Sequence, residues 1–220
     1  MSLDRSRDPS MDRSIDLSAV KPAFADPAKE SQILFRQIMG AIARPGRIQD
    51  LSVAPEPPEG LNVATAAVAL TLLDFETPLW LSASLRNGEA EMWLRFHCNC
   101  PLVDAPGCAA FAIAESPDVL PRLNEFNCGD EKYPDRSATV IVQSESLSDG
   151  EAREIRGPGI QHVAEVRASG LGTAFWGDVV ANGEGFQNGV DLMITAGAKL
   201  LGLPRTVRLL TEVTDTESQV

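Results

Sequence analysis

LNVATAAVALTLLDFETPLWLS, residues 61–82, is the stretch of sequence that most strongly indicates the fold. Residues 61–74 are apolar almost all round and begin near Asn62, a suitable N-cap, so they predict a helix. A helix with such a surface must be buried on several sides, within the domain or against a partner. Residues 77–82 are entered through a proline and predict a strand. A buried helix followed at once by a strand is typical of α/β proteins.

The flanking segments extend this alternation of helices and strands. Asp26-Pro27 predicts the start of a helix that Pro45-Gly46 ends, and residues 47–53 predict a short strand. Further helices are predicted over residues 89–99, 117–126 and 172–182. Further strands are predicted over residues 108–114, 138–147, 151–159, 190–195 and 199–210. The pattern favours an α/β fold, a single domain with a mixed sheet flanked by helices.

One strand pairing is specific enough to predict from the sequence. Residues 151–159 follow residues 138–147 across Ser148-Asp149-Gly150, a turn-forming sequence. We therefore expect these two segments to form a β-hairpin.

The charge balance excludes two classes of partner. The chain has 31 acidic and 19 basic residues, a formal net charge of −12. Nucleic acids and anionic membranes are bound through clustered Lys and Arg, and the sequence has no such cluster. We therefore predict no nucleic-acid partner and no membrane partner. A small anionic ligand remains compatible, because a site can be locally positive on an acidic protein.

The two ends differ in composition from the middle of the chain. Residues 1–23 alternate in charge without an apolar core and predict a disordered lead, within which Met11 is an alternative start. Residues 24–211 form the predicted domain and residues 212–220 a polar tail. No secretory signal or apolar run of about 18 residues occurs. The four cysteines have no framework spacing, which favours free thiols and a cytoplasmic location.

No standard catalytic signature occurs in the chain. GxxxxGK[ST], GxGxxG, HExxH and GxSxG are all absent. His97-Cys98-Asn99-Cys100 is the nearest approach to a metal motif, but zinc needs about four ligands, so we predict no metal site. The role of the two cysteines stays open. These absences disfavour a self-contained nucleotidyl-transferring or hydrolytic enzyme.

The lysines argue against a Schiff-base cofactor. The chain contains only four: Lys21, Lys29, Lys132 and Lys199. The first two fall in the lead and at the start of an exposed helix, and the others in polar, turn-like settings. Nothing in these settings lowers a lysine pKa by burial. We predict no pyridoxal phosphate and no other cofactor.

Arg95, His97 and Arg205 are the best candidates for binding an anion. Arginine presents a planar fork that matches phosphate or phosphonate oxygens, and histidine titrates near neutral pH. The competing interpretation is structural, with each arginine bound to backbone carbonyls or carboxylates. Asp74 presents a related case, because a carboxylate at a helix C-terminus needs a compensating partner. Arg36, Arg44 and Arg95 are the candidates for that partner.

Five segments, in this order along the chain, resemble one family. They are similar to segments of the PhnH proteins, and they are FRQIMGAIARPGRI (35–48), residues 61–82, LRFHCNCPLV (94–103), EKYPDRSATVIVQ (131–143) and FQNGVDLMITAGAKLLGLPRT (186–206). Two departures occur. Gln187 replaces a proline of the family pattern, and Cys98 and Cys100 replace small residues.

The resemblance implies a fold, partners and a pathway. PhnH proteins resemble the large domain of pyridoxal phosphate-dependent transferases without the cofactor, and they form homodimers. The resemblance further implies a core complex with PhnG, PhnI and PhnJ, in the carbon–phosphorus lyase system. That system forms alpha-D-ribose 1-methylphosphonate 5-triphosphate from ATP and an alkylphosphonate. Two roles stay open: an assembly subunit, or a subunit that binds phosphonate or nucleotide through Arg95, His97 or Arg205.

Overall fold

The computed structural model describes residues 23–210, and its first helix follows the local signals closely. Helix α1 spans Pro27–Ala43, and the Asp26 carboxylate accepts a hydrogen bond from the Lys29 amide at 3.2 Å. Proline in the first turn fits there because no intrahelical donor is needed at that position. The helix ends just before Pro45-Gly46, as predicted.

Helix α2, Val63–Leu72, is the buried helix that the sequence indicated. Its N-cap is Asn62, whose side chain accepts from the Thr65 amide at 2.8 Å. All residues from Ala64 to Ala69 are buried, and α2 packs between α1, helix α3 (Glu89–Cys98) and the main sheet. The cover for this apolar helix therefore comes from within the domain.

The main sheet has six strands and mixed direction. Its strands are β1 (Gln49–Asp50), β2 (Leu79–Leu81), β3 (Phe111–Ala114), β4 (Thr139–Gln143), β7 (Asp191–Ala196) and β8 (Lys199–Leu203), in the order β1-β8-β7-β4-β3-β2. Strands β2, β3, β4 and β7 are parallel, and β8 and β1 are antiparallel to their neighbours. The predicted α/β fold with a mixed sheet is confirmed.

Alternate residues of the strands face two separate layers. Ile113, Ile141 and Met193 pack with α1, α2 and α3 on one face. Val140 and Leu192 pack on the other face, against helix α4 (Thr173–Glu184) and a small second sheet. The period of two along each strand therefore places the parallel strands between two apolar layers.

The predicted hairpin between residues 138–147 and 151–159 is wrong. Strand β4 already has β3 on one side and β7 on the other, so it has no free edge for a hairpin partner. Residues Arg153–Arg156 form β5 in the second sheet instead, between β6 (Ala164–Val166) and β9 (Arg208–Leu210). Competition for the edges of β4 decided this pairing, and the sequence of the turn at 148–150 contains no information about that competition.

The predicted strand over residues 199–210 divides into two. Strand β8 ends at Leu203, where Pro204 lacks an amide to donate and the Val207 amide bonds its carbonyl at 2.9 Å. After this turn the chain crosses to the second sheet as β9.

Smaller differences occur in the connecting segments. The helix predicted over residues 117–126 is two short 3-10 turns, Pro117–Val119 and Leu123–Glu125, because Pro121 interrupts the segment. The strand predicted over residues 47–53 shrinks to β1. No helix within residues 23–210 is long and apolar enough to cross a bilayer. The polar tail and the predicted lead, with its alternative start at Met11, lie outside the described residues, except for residue 23 at the end of the lead.

Candidate functional site

The carboxyl ends of the parallel strands meet at one edge of the main sheet, where open α/β sheets usually bind ligands. Polar side chains collect there. Ser82 directly follows β2, Glu115 directly follows β3, Gln143 ends β4, and Thr195 lies near the end of β7. We call this region the carboxyl edge.

Thr195, which is fully buried, is the centre of a hydrogen-bond network at the carboxyl edge. Its hydroxyl lies 2.8 Å from that of Thr65 and accepts from the Asn62 side-chain amide at 3.0 Å. The Asn62 backbone amide donates to Gln143 at 2.5 Å, and the Gln143 amide donates to the Gly60 carbonyl at 2.8 Å. These groups satisfy one another, so the network joins the start of α2 to the sheet.

Glu115 is the centre of a second group at the same edge. Its Oε2 accepts from the hydroxyl of Ser82, which is fully buried, and its Oε1 accepts from that of Ser84. Burial raises the pKa of Glu115, but these two hydrogen bonds and a backbone one outweigh it, so the pKa lies below its usual range. The carboxyl group is therefore ionised near neutral pH.

A cleft of about 310 Å³ opens beside Glu115. Glu59 and Glu89 also line it, and the Glu59 amide donates to the Glu89 carboxylate at 3.4 Å. Three carboxylates give the cleft a negative potential, which opposes the entry of a phosphonate or a triphosphate. The place where the fold most often binds ligands is thus unsuited to the anions suggested by the sequence.

Arg205 lies at the opposite end of the parallel strands, which we call the amino edge. Its guanidinium donates to the Ser137 hydroxyl and to the Gly189 carbonyl, the latter at 3.2 Å. Its backbone amide donates to Asp191 at 3.0 Å. Ser137 and Gly189 precede β4 and β7, so the side chain ties together the entries to two central strands.

Arg95 and His97 share the last turns of α3, separate from Arg205. The Arg95 side chain is 57% exposed and lies 3.3 Å from Glu91, one turn earlier. The His97 ring makes edge contacts with Trp93, at a centroid distance of 4.8 Å, and with Phe96, at 4.9 Å. Both positions are favourable for cations because the helix C-terminus bears partial negative charge. The three predicted residues therefore occupy two different places in the fold.

Cys98, the last residue of α3, and Cys100 follow these residues in the chain. Both are buried. Burial, and to a smaller extent the nearby Cys100 thiol, raises the pKa of Cys98 to about 12. Burial also raises the pKa of Cys100. Thiolates, the forms that bind metals and act as nucleophiles, are disfavoured here. Among residues 23–210, no group of three or more His, Cys, Asp or Glu side chains is arranged to hold a metal ion.

The arginine partner predicted for Asp74 is not what the structure shows. Its carboxylate accepts from the Thr77 hydroxyl at 2.5 Å and from the Glu76 amide at 2.9 Å. The Thr77 bond and then the Glu76 bond hold the pKa of Asp74 below its usual range. A local turn just beyond α2 therefore compensates the charge, and Arg36, Arg44 and Arg95 are not needed for it.

A second cleft, of about 220 Å³, opens beside α4. Arg122 donates to Asp178 at 2.5 Å across it, so these two charges neutralise each other. The Oδ1 atom of Asn188 is buried there without a hydrogen-bond partner in the described part of the chain. The cleft thus offers a hydrogen-bond acceptor and no uncompensated cation, which again does not suit a phosphonate.

Sequence reasoning missed the polar residues of the carboxyl edge. Ser82 ends the predicted strand 77–82, and Glu115 directly follows the predicted strand 108–114, so their position at strand ends was a usable signal. Thr195 and Asn62 gave no such signal, because their contact joins residues that are 133 positions apart.

Comparison with known proteins identifies the class. The family model described as "Bacterial phosphonate metabolism protein (PhnH)" matches residues 22–210. The chain is 42% identical over 187 residues to the "Alpha-D-ribose 1-methylphosphonate 5-triphosphate synthase subunit PhnH" of Rhizobium meliloti (strain 1021), covering 85% of this chain and 94% of the relative. It is 29% identical over 185 residues to the "Putative C-P lyase subunit protein HtxG" of Stutzerimonas stutzeri, covering 83% of this chain and 87% of that relative.

These matches place the chain among proteins of bacterial phosphonate metabolism. It belongs to the PhnH family. The family resemblance seen in the sequence segments is thereby confirmed.

Proposed function

We propose that this chain is a subunit of the carbon–phosphorus lyase system that contributes through assembly rather than through its own chemistry. In this role it is needed to form alpha-D-ribose 1-methylphosphonate 5-triphosphate from ATP and an alkylphosphonate. The two relatives support the proposal, since both are named as subunits and both align over most of their length.

The engagement of Arg205 is the observation that most favours assembly over ligand binding. Its guanidinium already donates to Ser137 and Gly189 within the domain. A ligand would have to displace these hydrogen bonds, and its own contacts would have to offset the free energy lost with them. The acidic cleft at the carboxyl edge disfavours the same anions by charge.

The proposed partners follow from the family. We propose that the chain forms a homodimer and joins PhnG, PhnI and PhnJ in the cytoplasm. We also propose that its fold corresponds to the large domain of pyridoxal phosphate-dependent transferases, without the cofactor. Lys29, Lys132 and Lys199 support this last point, because all three are exposed and none lies in a hydrophobic pocket of the kind that activates a Schiff-base lysine.

The alternative function is the binding of a phosphonate or nucleotide. Arg95 favours it, because its side chain is 57% exposed and only partly engaged by Glu91. With His97 on the same turns, it forms the more accessible of the two predicted anion-binding places.

One experiment separates these two functions. The chain is co-purified with PhnG, PhnI and PhnJ, and the isolated chain is then titrated with methylphosphonate and with ATP by calorimetry. We expect stoichiometric assembly and no saturable binding to the isolated chain. Saturable binding that Arg95→Ala abolishes, with assembly unchanged, would establish the alternative.

A further inference from the structure

Helix α1 has an exposed ridge along its length that is mostly apolar. Phe35 is 49% exposed and Met39 is 47% exposed, and they are four residues apart, so they are neighbours on the helix surface. Ala43 continues the ridge and is also exposed. Gly40 lies beside them with open space where a side chain would stand. We call Phe35, Arg36, Met39 and Ala43 the α1 ridge.

The buried side of the same helix is apolar as well. Leu34, Ile38 and Ala41 are fully buried against α2 and β8. A surface helix normally has an apolar stripe toward the core and a polar face toward water, whereas a helix that is apolar on both sides is covered on both. Large apolar side chains placed next to each other on the surface are also a mark of interaction sites. The α1 ridge thus has the character of a face that another protein covers.

The charges beside the ridge indicate what kind of surface covers it. Arg36 lies within the ridge, and Arg44 and Arg47 directly follow the helix. None of the ion pairs formed within residues 23–210 includes any of these three arginines. Carboxylates are abundant in the chain, which has 31 acidic residues against 19 basic ones, yet none within residues 23–210 forms an ion pair with these arginines. A cover that pairs these arginines must bring carboxylates of its own.

A second copy of this chain fits the ridge poorly. In a twofold contact each residue near the axis meets its own copy. Arg36 lies between Phe35 and Met39 in the sequence, so packing ridge on ridge would bring together two guanidinium groups that have no ion pair within residues 23–210. Like charges at an interface disfavour the contact strongly. An acidic surface on a different protein would provide opposite charges instead.

We infer that the α1 ridge is the surface by which this chain docks onto an acidic, partly apolar surface of another subunit of its complex. Phe35 and Met39 act as apolar anchors, and Arg36 pairs with a carboxylate of the partner. Arg44 and Arg47 border the contact and steer its approach. The inference rests on the proposed assembly function and specifies the surface that performs it.

The test compares variants of the full chain in assembly with PhnG, PhnI and PhnJ. The double variant Phe35→Ala, Met39→Ala should bind at least about tenfold more weakly, as expected when central anchors are removed. Arg36→Glu should also weaken binding and reduce its sensitivity to salt between about 0.05 and about 0.5 M. Because these side chains are exposed, the melting temperature of each variant should stay close to that of the wild type.

Matched controls exist on the opposite side of the main sheet. Phe186 follows α4 and is 50% exposed, so Phe186→Ala removes a similar apolar area. Arg156→Glu in β5 reverses an exposed charge of the same kind. Neither control should weaken assembly. If the double variant is poorly folded, Arg36→Glu against Arg156→Glu decides the matter alone.

Three outcomes would overturn the inference. Equal binding by wild type and ridge variants would leave the assembly function intact and remove the ridge from it. Failure of the wild type itself to assemble would reject the proposed function and the inference together. Conversion of a homodimer to monomers by the ridge variants, with binding to the other subunits unchanged, would assign the ridge to a second copy.

Discussion

The two ends of the parallel strands differ in what their polar groups do. At the carboxyl edge, Thr195 and Glu115 accept or share hydrogen bonds with neighbours on α2 and in the strand ends. At the amino edge, Arg205 ties the entries of β4 and β7 together. The first edge is acidic and lies where α/β proteins usually bind ligands, and the second contains Arg205, one of the three residues predicted to bind an anion.

The comparison shows that neither position nor residue type is sufficient to identify a binding site. The usual position has the wrong charge for a phosphonate, and the suitable residue is already engaged inside the domain. Thr195 and Glu115 at one edge and Arg205 at the other are hydrogen-bonded within the domain, which stabilises the sheet. The exposed side chains proposed for a partner or a ligand lie on α1, at Phe35 and Met39, and near the end of α3, at Arg95.

The largest effect is expected from Arg205→Ala, which breaks the amino edge. The substitution should lower the free energy of unfolding by about 1.5–3 kcal/mol, the range for hydrogen bonds to a charged group. Arg205→Lys should recover only part, because a point charge does not replace the planar fork. Urea unfolding of the three proteins measures this. A stable Arg205→Ala protein that has lost affinity for a phosphonate would instead make Arg205 a ligand-binding residue.

Thr195→Val tests the carboxyl edge in the same way. The new side chain has nearly the same shape but no hydroxyl, so Asn62 and Thr65 each lose a partner in a buried place. We expect a loss of about 1–3 kcal/mol in the free energy of unfolding. Thr195→Ser keeps the hydroxyl and is the matched control. Equal stability of the Val and Ser variants would show that the network contributes nothing.

Ser84→Ala should have a smaller effect, because Ser84 is exposed and makes one hydrogen bond to Glu115. We expect a loss of about 0.5–1.5 kcal/mol, the net value of an ordinary hydrogen bond. The pKa of Glu115 should rise, because the Ser84 hydrogen bond that lowers it is lost while burial still raises it. The carboxyl carbon shift of Glu115, followed against pH by NMR, reports the change. An unmoved pKa would argue against the Ser84 contact.

The pH dependence of stability follows from the same group. The pKa of Glu115 is lower in the folded state than in the unfolded state, so its contribution is present above the unfolded pKa. The contribution is lost as the pH falls through the folded pKa. Wild type should therefore lose more stability on acidification than Glu115→Gln, while their difference stays constant at higher pH. Unfolding midpoints across that acidic range provide the measurement.

The smallest effect concerns the reactivity of the cysteine thiols. Cys98 and Cys100 are buried and have raised pKa values, whereas Cys108 is exposed. A thiol reagent at mildly alkaline pH should modify Cys108 first and reach the other two only on unfolding. Mass spectrometry of the labelled peptides checks the order. Rapid labelling of Cys98 in the folded protein would contradict its described burial.

Local signals predicted the starts of the first two helices well. Asp26 and Asn62 cap α1 and α2 through hydrogen bonds that span three residues, so the sequence alone contains both partners. The apolar run of α2 correctly indicated burial on several sides. The ordered family segments indicated the PhnH family, which the comparisons confirm.

Tertiary structure decided the pairings and the sites. Strand β5 follows a good hairpin turn, yet β4 has no edge left to pair with it, because β3 and β7 occupy both sides. The sequence predicted Arg205 as an anion-binding residue, but in the structure its guanidinium donates to the hydroxyl of Ser137, which is 68 positions away. Hydrogen bonds within one turn are encoded locally, whereas competition for a strand edge or for a charged side chain depends on every element of the fold at once.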